Sequence, residues 1–162
     1  MISFLGLGSN VDDRLTNLHK AIGLMTKDEN IRLLELSSFY ESPPMYNHEL
    51  NIFFNGVIKI DTSYSPTSLL KRVKNIEHVM GRKETRERYS NRPIDIDILC
   101  CGLEIIETSE LVVPHPHIKE RKFVLKPWSD IDSDYIIAGE NRKIKELLEL
   151  TSDSSKLKKI YT

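Results

Sequence analysis

Two aspartates with one residue between them lie in the run Ile94-Asp95-Ile96-Asp97-Ile98. In an extended strand, residues two apart point to the same face, about 6.6 Å apart along the chain. The isoleucines then face a core while the two carboxylates project together. Such a pair suits hard, oxygen-seeking cations, and two magnesium ions about 3.5–4 Å apart fit between them. An acidic outer face on a half-exposed strand would use the same residues, so the meaning of the motif depends on what precedes it. Arg82, Lys83, Arg86, Arg88 and Arg92 fall within the eleven residues 82–92. Guanidinium groups stay charged and grip phosphate oxygens in a forked geometry. Glu84 and Glu87 partly neutralise the segment, as they would in a solvated connection. Joined to Asp95 and Asp97, the basic segment describes a site for a phosphate chain and magnesium. In phosphoryl transfer, positioning and charge neutralisation supply most of the catalysis.

Further along, His115, His117 and Arg121 form a third polar group. Two histidines at this spacing lack the further ligands of a zinc site. A phosphate contact by His115 and Arg121 and a solvated loop are the two readings. No Gly-x-x-x-x-Gly-Lys-Ser/Thr loop is present, so a nucleotide is not held by a P-loop. Gly6-Leu7-Gly8 begins like a dinucleotide fingerprint, but Val11 stands where the third glycine is needed. Upstream, Phe53 and Asn55 share one face of a strand that follows the stiff run Ser42-Pro43-Pro44. An aromatic ring and an amide on one face could hold a flat polar heterocycle. A half-buried strand with a polar edge is the plainer reading.

The elements that position these groups follow from periodicity and punctuation. Residues 2–8 are apolar and end in glycine, as a buried strand does. Leu15, Leu18, Ile22 and Met25 place one apolar stripe on a helix over 12–26. Residues 31–40 read as a second strand, stopped by the two prolines, and 45–51 as an exposed loop. Residues 53–62 form a third strand, with Phe54, Gly56, Ile58 and Ile60 on the face opposite Phe53, Asn55, Val57 and Lys59. Ser65 caps a helix with Pro66 at its first position, and Leu69, Leu70, Val73, Ile76 and Met80 form its stripe. Glu77 lies beside that stripe, and Gly81 stops the helix. A fourth strand covers 93–101. After it come a turn and an extended piece over 102–108, a proline-stiffened loop at 112–117, a short helix over 118–121, an extended stretch at 123–125 and a helix over 143–150. The tail to Thr162 is polar and reads as less ordered. The resulting order is the ferredoxin-like βαββαβ pattern, an α+β fold whose antiparallel sheet carries helices on one face, with extra C-terminal elements. Without a repeat or linker, residues 1–162 are expected to form a single domain.

Composition narrows the classes. The chain has 162 residues, 40% hydrophobic and 29% charged, with a net charge of −1. That is ordinary for a soluble domain and carries no basic excess for nucleic acid. No apolar run approaches the ~20 residues of a membrane helix, and the glycine-interrupted start lacks a signal peptide's basic region. Cys100 and Cys101 are adjacent, an arrangement that rarely forms a disulfide. A reduced, cytoplasmic monomer without membrane or nucleic-acid partners is expected.

At this point the residues resemble a family, the bacterial 6-hydroxymethyl-7,8-dihydropterin pyrophosphokinases of folate biosynthesis. The markers are Gly8-Ser9-Asn10, Ser42-Pro43-Pro44, Phe53-x-Asn55, Glu77 with Gly81-Arg82, Arg92-x-x-Asp95-x-Asp97, Val113-Pro114-His115 and Arg121-x-Phe123. The ordered set spans almost the whole chain. The resemblance implies a ferredoxin-like enzyme that transfers pyrophosphate from ATP to the pterin hydroxymethyl group and releases AMP. It implies two Mg²⁺ on Asp95 and Asp97, and Arg82, Arg92 and Asp97 as catalytic groups. Arg92, His115 and Arg121 would contact phosphates, while Leu70, Glu77 and Ile98 would line the adenosine site. The pterin would lie between Phe53 and Phe123, near Ser42, Pro43, Pro44 and Asp95, bonded by Asn55. Two departures stand out. Many members carry an arginine where Glu84 stands, a role Arg86 or Arg88 could take. Many carry Trp-Gly-Pro where Tyr89-Ser90-Asn91 stands, with Tyr89 a candidate aromatic lid. Three other readings share parts of the pattern: a ferredoxin-like RNA-binding module, a two-metal nuclease, and a non-catalytic pterin or nucleotide binder.

Overall fold

The computed structural model describes residues 1–82 and 90–160. Its strands are β1 (Ile2–Ser9), β2 (Ile31–Leu36), β3 (Phe39–Ser42), β4 (Phe53–Thr62), β5 (Asp95–Cys101), β6 (Ile106–Glu107), β7 (Val112–Val113) and β8 (Lys158–Ile160). Its α-helices are α1 (Arg14–Thr26), α2 (Pro66–Val79), α3 (Lys122–Asp132) and α4 (Ile144–Leu150), with a 3₁₀ turn at Ile118–Glu120. The main sheet runs β5-β1-β4-β3-β8, with β2 also paired to β4. Every pairing is antiparallel. With β2 and β3 together as the second strand, this is the ferredoxin-like order.

Local chemistry sets the helix ends. The Asp13 carboxylate accepts from Thr16 N at the start of α1 (3.1 Å), and Ser65 Oγ accepts from Ser68 N at the start of α2 (3.2 Å). Each satisfies a donor that the first helical turn leaves unpaired. Gly81 takes φ +88°, the left-handed conformation that a glycine adopts at little cost. The chain then doubles back so that Arg82 N donates to Glu77 O (3.0 Å), fixing Arg82 against the end of α2.

Two buried clusters share the sheet. On one face, α1 and α2 pack Leu18, Met25, Leu69, Val73 and Ile76 against Leu5, Leu7, Ile58, Ile60, Ile96 and Ile98. On the other, α3 and α4 pack Val124, Leu125, Trp128, Ile144 and Leu147 against Phe4, Val57, Leu99 and Cys100. Trp128 is fully buried and stands 4.7 Å from the Phe4 ring. Register in β5 shifts opposite Phe4 and Leu5, whose partners are Cys100 and Ile98. Leu99 keeps the face of Asp95 and Asp97, and the bulge turns Cys100 to the same α3 side.

Three expectations from the sequence are corrected. The strand expected over 31–40 is two strands. Ser37 leaves the row, donating its N–H to Val57 O (3.0 Å) while its Oγ accepts from Val57 N (2.9 Å). Phe39 then lies over Gly56, where a Cβ would meet the Phe39 ring at 2.6 Å. Residues 123–125, expected to be extended, open α3 because Val124, Leu125, Trp128 and Ile131 have helical spacing onto the second face. Pro127 sits inside this helix, where it lacks the N–H that would bond the carbonyl four residues back. The tail is not loose up to Ile160, since Lys158–Ile160 pairs with Phe39–Glu41.

Candidate active site

Antiparallel pairing brings one end of three strands together. Gly8 of β1 lies opposite Asn55 of β4 on one side and Asp95 of β5 on the other. Gly6 lies likewise between Val57 and Asp97. Residues directly opposite share a face, so Asn55 and Asp95 project to the same side across a glycine. A Cβ on Gly8 would come within 3.1 Å of Asn55 Oδ1, 3.7 Å of Phe53 and 3.9 Å of Asp95. The glycines thus clear the floor of a cavity of about 230 Å³. Its lining includes Ser42, Phe53, Asn55, Arg82, Arg92, Asp95, Asp97, His115, Arg121 and Phe123.

One wall suits a flat ring. Asn55 is 6% exposed and donates its amide to Ser42 Oγ (2.7 Å), which fixes the amide's orientation. Phe53 and Phe123 flank this wall. Pro44 is buried and Pro43 exposed, so the two prolines stiffen the exit from β3 outside the cavity lining.

The opposite wall is charged. Arg82 Nη1 donates to Asp95 Oδ1, and Arg92 Nη2 donates to Asp95 Oδ2 (2.7 Å). Arg121 Nη1 reaches Asp97 Oδ2 at 3.4 Å. Burial raises the Asp95 pKa, but the Arg92 and Arg82 charges outweigh it and hold the carboxyl below its usual range. Asp97 behaves oppositely. Burial, then the neighbouring Asp95 charge, push it up to about 6, against a weaker pull from Arg121. His115 is pushed down to about 4, by burial first and then by Arg121 and His117. It is therefore a neutral ring at pH 7. Its Nδ1 accepts from His117 N (3.2 Å), which places the ring proton on Nε2 as a donor.

Beneath this wall lies Glu77, 2% exposed. Its Oε1 accepts from Ile96 N (2.7 Å) and from Arg82, and its Oε2 accepts from Lys74 Nζ (2.9 Å). It thus satisfies an outward backbone donor of the edge strand β5 and anchors Arg82 from below. Leu70 and Ile98 belong to the α1–α2 side of the core, Leu70 partly and Ile98 almost wholly buried. Neither they nor Glu77 belong to the cavity lining. Arg86, Arg88 and Tyr89 lie outside the described residues.

The sequence reading missed several lining residues. Gly6 and Gly8 read from the sequence as the start of a dinucleotide fingerprint, and Gly8 also as part of a family marker; their use in the cavity floor shows only once β4 and β5 flank them. Lys74 and Tyr46 also line the cavity. Tyr46 OH accepts from Arg121 Nε (3.4 Å), and its ring lies 5.7 Å from the guanidinium. A helical lysine and a loop tyrosine carry no local signal for such a role.

Magnesium can be tested against these donors. Among the described residues no group of three or more His, Cys, Asp or Glu side chains could hold a metal. Two carboxylates on a rigid strand fit magnesium, which takes one or two carboxylates and completes its octahedron with water and substrate phosphates.

Comparison with known proteins decides the family. Residues 4–133 match the 7,8-dihydro-6-hydroxymethylpterin-pyrophosphokinase (HPPK) family. The chain belongs to this family. It is 35% identical over 156 residues to the 2-amino-4-hydroxy-6-hydroxymethyldihydropteridine pyrophosphokinase of Haemophilus influenzae, covering 96% of both proteins. It is 36% identical over 148 residues to the Schizosaccharomyces pombe folic acid synthesis protein fol1, covering 91% of this chain but 20% of that protein. A crystal structure of an HPPK-DHPS protein in complex with substrates shares the fold, with a TM-score of 0.71 at 17% identity. That alignment covers 91% of this chain and 42% of the other. Among the described residues of this HPPK, no helix is long and apolar enough to cross a membrane.

Proposed function

We propose that the cavity between β1, β4 and β5 is where this HPPK carries out its reaction, with the pterin on the Phe53–Asn55 wall and the triphosphate on the Arg82–Arg92–Asp95–Asp97 wall. The reaction is transfer of pyrophosphate from ATP to 6-hydroxymethyl-7,8-dihydropterin in folate biosynthesis, with release of AMP. The observation that carries the assignment is the row Asn55–Gly8–Asp95, which sets a ring-binding amide and a phosphate-side carboxylate on one face with an open floor between them.

In this reading Asn55 and Ser42 orient the pterin edge, and Phe53 and Phe123 flank its ring. Asp95 and Asp97 would hold two Mg²⁺, which would supply positive charge to neutralise the triphosphate. Arg82 and Arg92, which hold Asp95, carry further N–H donors for phosphate oxygens. Arg82 and Arg92 stabilise the charge that develops as the pyrophosphoryl group moves, and Arg121 steadies its outer end. His115 donates a hydrogen bond from Nε2. The adenosine half of ATP is assigned to the α2–β5 edge, beside Leu70, Glu77 and Ile98. Residues 1–162 are proposed to act as a single domain, which the two clusters on one shared sheet support, and as a monomer in the cytoplasm.

Incubation with ATP, Mg²⁺ and the hydroxymethylpterin should yield AMP in step with the pterin pyrophosphate ester. Formation of ADP would overturn the pyrophosphoryl assignment.

A further inference from the structure

Arg92 is held by a set of asparagine contacts that the reaction by itself does not require. Asn10, just after β1, is 1% exposed. Its Oδ1 accepts from Arg92 N (2.7 Å), and its own N donates to Arg92 O (3.2 Å). Its Nδ2 donates to Asn91 Oδ1 (2.7 Å) and more weakly to Asn51 O (3.4 Å). The same Asn91 Oδ1 accepts from Asn51 N (3.1 Å). One amide oxygen therefore receives donors from two other segments, the end of β1 and the approach to β4.

Asn91 and the Asn51 segment it holds lead to opposite walls of the cavity. Asn51 stands two residues before Phe53, on the pterin side. Asn91 precedes Arg92, whose guanidinium holds Asp95 and lies 5.4 Å from the Phe53 ring. We propose that Asn91 is a positioning residue that uses its side-chain oxygen to lock the pterin wall to Arg92, so that ordering one substrate site favours the other. It stands outside the cavity lining and acts through the backbone of residues 51 and 92. This inference rests on the proposed location of the two substrate sites.

The contact uses Asn91 only as an acceptor, which separates two substitutions. Asn91→Asp keeps an oxygen for both donors, whereas Asn91→Ala removes both bonds. Asn91 is exposed, so neither change opens a core cavity. Two readouts are needed. The first is isothermal titration of the pterin, with and without a non-hydrolysable ATP analogue and Mg²⁺. The second is the separation of kcat from KM. Removal of two hydrogen bonds of ordinary strength predicts that Asn91→Ala loses about tenfold of any enhancement of pterin affinity by the analogue and about tenfold in kcat. Pterin affinity without the analogue should change less than about threefold, and Asn91→Asp should stay within about threefold of the parent in every measure. A merely structural role would move the melting temperature and both affinities together. The proposal is overturned if Asn91→Ala retains the parent coupling and kcat, or if Asn91→Asp is as impaired as Asn91→Ala. A parent protein that forms no AMP would count against the reaction assignment, while the paired titrations would still decide the role of Asn91.

Discussion

Replacing Asp97 by asparagine is expected to stabilise the ligand-free protein while abolishing turnover. The carboxyl is pushed from an ordinary 3.8 up to about 6 by burial and by Asp95. At neutral pH its charge is therefore an expense to the fold. The gap between 3.8 and about 6 corresponds to about 3 kcal/mol. The side chain is 35% exposed, so solvent screening reduces this to roughly 1–2 kcal/mol. The sign follows from proton counts. Between about pH 4 and pH 6 the folded state binds more protons at this site than the unfolded chain does. The stability contributed by this site then falls as pH rises through that window, and the full cost is present above it. Asparagine removes the cost at every pH. Urea unfolding in a chelating buffer should show the variant more stable than the parent by roughly 1–2 kcal/mol at pH 7.5, or a few degrees in melting temperature. The difference should shrink toward zero near pH 4. Millimolar Mg²⁺ with ATP should narrow it, because the parent alone keeps both carboxylates for the cation. A variant less stable than the parent at pH 7.5, or a difference independent of pH, would refute the reasoning.

Two further substitutions probe the frame of the site. Gly8→Ala puts a methyl 3.1 Å from Asn55 Oδ1; pterin affinity should fall by about tenfold or more, with little change in melting temperature, as read by titration and calorimetry. Glu77→Ala strands the Ile96 N–H and removes the buried partner of Arg82; urea unfolding should show a loss of about 2–4 kcal/mol. Glu77→Gln should recover part of that loss by keeping an acceptor for Ile96.

Much of the candidate site was legible because its signals are local. The alternation of Ile94, Asp95, Ile96, Asp97 and Ile98 fixes which side chains share a face wherever the strand is placed. Ser65-Pro66 and Gly81 mark the limits of α2 through chemistry contained in a few residues. The ordered markers then added the family, and with it the expected partners of Asp95 and Asp97. Asn91, within the Tyr89-Ser90-Asn91 departure, carried no such signal, because its contacts to Asn10 and Asn51 cross 81 and 40 residues.

What tertiary structure decided depends on neighbours distant in sequence. The break between β2 and β3 comes from Ser37 pairing with Val57 and Phe39 crossing Gly56, a choice that 31–40 cannot announce alone. Lys158–Ile160 becomes a strand because β3 offers an open edge, and Val124, Leu125 and Trp128 become helical because a second apolar sheet face needs covering. The two glycines of β1 acquire their use only when Asn55 and Asp95 stand on either side. The opposite titration of Asp95 and Asp97 also depends on which charges surround each carboxylate. Residue type and period fixed which groups could do the chemistry, and strand pairing fixed how far apart they stand and which charge each one feels.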